Sequence, residues 1–177
     1  MINEIIYDKK LEDKKIEEIK GIFSHYCIAY NVAHFILRML LSEAKFDILA
    51  WRPSRAVKEE YYTTLKERYR PFLQEYCIFF LREKDFPLFR NLLFSQFYWI
   101  KLLYFGPISE IINKEFDLKE NILLKVGDRV EIVSGDLEGI PGKVLEEIEG
   151  KYKVELDIPG EKIMKIVERE RLIKMED

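Results

Sequence analysis

The most constraining stretch of this chain is Val126–Glu146, VGDRVEIVSGDLEGIPGKVLE. Val130, Ile132 and Val144 alternate with polar residues, the period-two pattern of half-buried strands. Between them, Gly135, Gly139 and Gly142 fall within eight residues. Glycine accepts positive φ and close backbone approach, so this spacing predicts a tightly folded turn between two strands. Pro141 fixes one further φ angle. Two more strand-like runs follow, Tyr152–Asp157 and Lys162–Val167, with a turn at Ile158-Pro159-Gly160. Leu172-Ile173 is a last short apolar segment. Five strands in about fifty residues predict a small closed barrel.

The run GDRVEIVSGDLEGIPGKVLE resembles the KOW motif. Residues 125–177, with YKVELDIPG and ERERLIKM, resemble the C-terminal barrel of the NusG transcription elongation factors. Ribosomal proteins also carry KOW motifs, so the upstream residues decide between contexts.

Upstream, HYCIAY (His25–Tyr30) reads as a strand buried on at least one face. Asn31 is expected to cap a helix over Val32–Ala44, because Val32, Phe35, Ile36, Met39 and Leu40 recur at helical spacing. Phe46–Trp51, Tyr76–Leu81 and Tyr98–Phe105 read as strands. A helix capped by Asp85 is expected over about Phe86–Ser95, and a short one from Ser109 to about Lys114. Arg55–Arg70 reads as an extended hairpin arm or a helical insertion. Met1–Gly21, rich in Lys, Asp and Glu, reads as a short helix or a mobile tail. The order predicts an α+β layer on a mostly antiparallel sheet.

This order resembles the NGN domain of the NusG family, with HYCIAY, RPFLQEYCIFF and GPISEI at the corresponding places. Gln74-Glu75 stands where the family has Pro-Gly, and NVAHFI replaces a usual Gly-x-Glu, so the chain resembles a specialised paralogue. The implied fold class is α+β: an NGN-like α/β sandwich with an antiparallel sheet, then an SH3-like KOW β-barrel. The implied divisions are a charged extension over 1–21, the NGN-like domain over 22–115, a linker over 116–124 and the barrel over 125–177.

The resemblance implies an elongation or antitermination factor that binds the RNA polymerase clamp coiled coil through Tyr26, Ile28, Phe72, Leu73 and Tyr76. Core packing is the alternative for about half of these apolar residues. Arg52, Arg55, Lys58, Arg68 and Arg70, interleaved with tyrosines, suit phosphate contact and base stacking on DNA or RNA. An exposed charged arm explains them equally well. By resemblance, His34 and Arg38 lie where some paralogues read non-template DNA. In the barrel, Gly135, Leu137 and Gly139 together with Ile158, Pro159 and Gly160 form the implied rim for a small-subunit ribosomal protein or Rho. Turn formation alone also accounts for these glycines and prolines.

Charge separates these readings. Residues 125–177 hold ten basic and fourteen acidic residues, net −4, and residues 1–124 are net +1. A chain-wide polyanion-binding field is therefore absent. The two histidines and paired acids show no catalytic spacing, and no Gly-rich phosphate loop or metal-ligand spacing occurs. The expectation is a non-enzyme with no cofactor, metal or membrane segment, acting as a cytoplasmic monomer. Cys27 and Cys77 are expected to be buried thiols. The rival reading is an RNA- or ribosome-binding KOW protein without polymerase contact. Helix-prone runs such as KVLEEIEGK leave open a C-terminal unit that refolds as helices against the first domain.

Overall fold

The computed structural model describes residues 1–6, 11–52, 76–108, 123–133 and 135–176. In chain order the elements are β1 (Asn3–Ile6), α1 (Asp13–Ile22), β2 (His25–Tyr30), α2 (His34–Glu43), β3 (Ile48–Trp51) and β4 (Cys77–Leu81). They continue with α3 (Phe86–Gln96), β5 (Lys101–Pro107), β6 (Arg129–Ile132), β7 (Pro141–Ile148), β8 (Lys151–Ile158), β9 (Glu161–Glu168) and β10 (Leu172–Met175). The strands form one mixed sheet in the order β1-β3-β4-β2-β5-β10-β6-β7-β8-β9.

The N-terminal half of the sheet is covered on both faces, and its strands show why. In β2, Cys27 and Ala29 point to the face under α2 and α3, whereas Tyr26, Ile28 and Tyr30 point to the face under α1. In β4, Cys77, Phe79 and Leu81 share the first face, and Ile78 and Phe80 the second. Apolar residues at every position suit a sheet buried on both sides, because successive side chains alternate faces. Cys27 and Cys77 are free, buried thiols.

The antiparallel expectation needs correction at two places. β1 pairs with β3 in parallel, Asn3 against Ile48 through Ile6 against Trp51, and β10 pairs with β5 in parallel. Parallel neighbours need a long crossover, and α1, β2 and α2 supply it between β1 and β3. The charged first segment thus contributes a strand and a helix, with Ile6, Leu11, Ile16 and Ile19 buried.

Local boundaries also differ. Asn31 does not cap α2: the capping position is Ala33. Asn31 adopts φ +67°, a left-handed turn, and its side-chain amide donates to the Trp99 carbonyl at 3.1 Å. The strand expected over Tyr98–Phe105 starts at Lys101, because the Ile100 amide closes a turn on the Phe97 carbonyl at 2.9 Å. The helix expected from Ser109 and the arm over 55–70 lie outside the described residues.

The C-terminal strands β6 to β10 enclose a small core of Val130, Ile132, Val144, Val154, Leu156 and Leu172. They are strands in this state, so the helical alternative is not the one adopted. The closed barrel is not formed. β10 uses one edge for β6 and the other for β5, matching Lys174 to Tyr104 and Met175 to Phe105. The ladder therefore continues into the N-terminal half instead of closing. Ile173, fully buried, packs into the N-terminal core.

A polar seam accompanies this junction. Arg169 donates to the Leu103 carbonyl at 3.0 Å, and the Tyr104 hydroxyl donates to Glu176 Oε2 at 2.6 Å. Lys174, almost fully buried, lies 3.7 Å from Asp128 and 3.6 Å from Glu176. Arg90 on α3 is paired with Glu131 on β6. Removing one partner of a part-buried pair leaves the other charge uncompensated, so these contacts fix how the two halves meet.

Candidate functional site

Tyr26, Ile28 and Tyr76 do come together, in one apolar cluster on a single face of the sheet. That face is not open. Ile16 and Ile19 of α1 pack into the same cluster, and Tyr26, Ile28 and Tyr76 are 1%, 0% and 8% exposed. In this state these three residues pack as core beside α1, the alternative weighed for about half of the group. In the sequence, only the loose apolar spacing of Ile5, Leu11, Ile16 and Ile19 within the charged first segment points to such a helix. Phe72 and Leu73 lie outside the described residues.

The hydroxyls of Tyr26 and Tyr104 share a hydrogen bond, and their ring centroids are 5.0 Å apart. Burial pushes the Tyr26 phenol up to about 12, and burial beside Tyr26 and Glu176 pushes Tyr104 further. Both stay neutral at physiological pH, so the Tyr104 hydroxyl keeps the proton that it donates to Glu176.

Three of the basic residues singled out lie among the described residues. His34 opens α2, and Arg38 is exposed one turn later on the same helix. Arg52 follows β3 and is half-buried; its amide donates to the Ile6 carbonyl at 2.8 Å. It is therefore tied to β1 at its backbone. Arg55, Lys58, Arg68 and Arg70 lie outside the described residues. What the sequence reading missed is the apolar character around Arg38: Phe35 is 68% exposed and Met39 54%. The helical periodicity assigned both to the core, although a stripe this wide cannot all face one sheet.

In the C-terminal half, strand register places the loop after β6 and the turn after β8 at one end. Glu131 faces Pro141, and Gly142 faces Leu156, just before Ile158. Gly135 and Gly139 adopt φ of +89° and +84°, and Gly160 +82°. Leu137 and Ile158 pack against the local core, so neither is wholly a surface contact. A groove of about 730 Å³ opens beside the β8–β9 turn and includes Ile158 and Gly160. Gly135, Leu137 and Gly139 do not line it. Its charged lining is Arg129, Lys143 and Lys162 against Glu155, Asp157 and Glu161, over Pro141 and Leu156. A charge-balanced, partly apolar groove suits a protein segment better than a phosphate chain.

A second cavity, about 220 Å³, lies where α3 and the following turn meet the C-terminal half, between Phe94 and Tyr98 on one side and Val133 and Glu138 on the other. Phe94 and Tyr98 are 60% and 70% exposed. Among the described residues no group of three or more His, Cys, Asp or Glu is placed to hold a metal, and no helix is long and apolar enough to cross a membrane.

No protein-family model matches the chain. Two solved structures are similar over most of their length. A chain of the MjSpt4:Spt5 complex is 18% identical, with 84% of this chain and 95% of that chain covered, at a TM-score of 0.29. A Thermotoga maritima NusG chain, solved to describe domain interaction, is 15% identical, with 86% and 98% covered, also at 0.29. Both superpositions are loose.

Proposed function

We propose that this chain is a NusG-type transcription elongation or antitermination factor, with an N-terminal unit for RNA polymerase and a C-terminal unit for a second protein. The observation that carries this reading is the KOW-like run: Arg129–Ile132 and Pro141–Ile148 are paired strands around the glycine-rich turn. They follow an α/β unit whose described elements run β2-α2-β3 and β4-α3-β5, the order on which the NGN resemblance rests.

The mechanism is non-catalytic and needs no cofactor. Binding to the clamp coiled coil favours the elongation-competent polymerase over the paused one, because a ligand shifts an equilibrium by its differential affinity for the two states. Tyr26, Ile28 and Tyr76 pack in one cluster with Ile16 and Ile19 of α1, so contact through these three residues requires α1 to be displaced. The balanced groove near Ile158 and Gly160 favours a protein partner, a small-subunit ribosomal protein or Rho, over nascent RNA.

Single-round transcription with purified polymerase tests this. The expected result is shortened pauses in the presence of the chain, reversed by an excess of the isolated clamp coiled coil. Unchanged pausing, together with RNA binding that weakens steeply with salt, would instead establish the RNA-binding reading.

A further inference from the structure

The ten-stranded sheet ends on β9. Among the described residues, nothing pairs with its outer edge. This edge is eight residues long, and its register with β8 is unbroken from Lys151 opposite Glu168 to Ile158 opposite Glu161. Sheet edges of this length are usually shortened, bulged or covered, because their unpaired backbone groups are a template for another strand. β9 carries no proline or bulge, and it exposes two large apolar side chains, Met164 at 51% and Ile166 at 58%.

We propose that β9 pairs with β9 of a second copy of the chain, antiparallel about a two-fold axis through Lys165. The sequence around that residue is self-complementary. Folding EKIMKIVE about Lys165 sets Met164 against the second copy's Ile166, Ile163 against Val167, and Lys162 against Glu168. Residues two apart share a face, so Lys162, Met164, Ile166 and Glu168 form one continuous patch with its mate: four apolar side chains flanked by two ion pairs. Shifting the register by one residue destroys this match. One direction sets Glu161 against Glu168, and the other sets Ile163 against Glu168. A two-fold interface must be self-complementary in this way.

One feature opposes the pairing. Lys165 meets its own copy on the axis, and like charges directly opposite are destabilising. The dimer is therefore weak and reversible, and it departs from the monomer expected from sequence. Each ion pair occurs twice, so a single reversal is felt at two places.

Sedimentation velocity of the full chain over a concentration series tests the proposal. The expected result is a monomer–dimer equilibrium. Lys162→Glu and Glu168→Lys should each raise the dissociation constant roughly tenfold, and the double reversal should restore it. Lys165→Thr should tighten it. All three residues are exposed or at the free edge, so circular dichroism should report an unchanged fold. A chain that stays monomeric, or a dimer indifferent to the single reversals, would overturn the proposal. Hydrogen exchange of the unaltered chain is an independent check: β9 protection should rise with concentration, and concentration-independent protection would also overturn it.

Discussion

Gly142 sits where β7 passes β8 too closely for a side chain. A Cβ there would lie 2.6 Å from Val154 Cγ1 and 2.8 Å from the Glu155 carbonyl oxygen. The second neighbour is backbone and cannot rotate away. Gly142→Ala should therefore destabilise the chain by about 1–3 kcal/mol through overpacking, read as a lower urea midpoint at unchanged slope. Asp47 is a second local device. Arg82 donates to its Oδ2 at 2.5 Å and the Ile2 amide to its Oδ1 at 2.6 Å. These bonds, the one from Arg82 foremost, hold its carboxyl below the usual 3.8. A lowered folded value means that the contribution is complete above about pH 4 and is lost as pH falls through the lowered value. Asp47→Asn should flatten that part of the acid limb in pH-dependent thermal melts.

At the scale of elements, α1 decides whether the aromatic face is core or surface. Ile16 is 1% exposed within that cluster. Ile16→Ala should cost about 2–5 kcal/mol of stability in urea unfolding, whereas the same change in a mobile tail would cost nothing measurable. The same substitution loosens the cover over Tyr26 and Ile28. Part of this arrangement was legible: YCIAY and CIFFL are apolar at every position, which marks strands buried on at least one face. What covers the second face was harder to see, since α1 contributes Ile16 and Ile19 among charged residues and no side-chain cap marks its start. The turn at Gly135–Gly142 was readable because positive φ and close approach demand glycine. Barrel closure was not, because it depends on which strand takes the second edge of β10, and no local pattern records that choice.

At the scale of the molecule, the shared sheet couples the two halves. Ile173 belongs to β10 yet packs in the N-terminal core, and both tryptophans, Trp51 and Trp99, belong to the N-terminal half. Ile173→Ala should thus lower the unfolding free energy reported by tryptophan fluorescence by about 2–5 kcal/mol, whereas independent halves would leave that signal unmoved. The proposed function rests on the N-terminal half meeting polymerase. Its most direct test is binding of the full chain to the isolated clamp coiled coil by titration calorimetry, with Ile16→Ala in parallel. Saturable binding, tighter for Ile16→Ala because α1 is more easily displaced, is the predicted result. No binding by either folded protein would contradict the account.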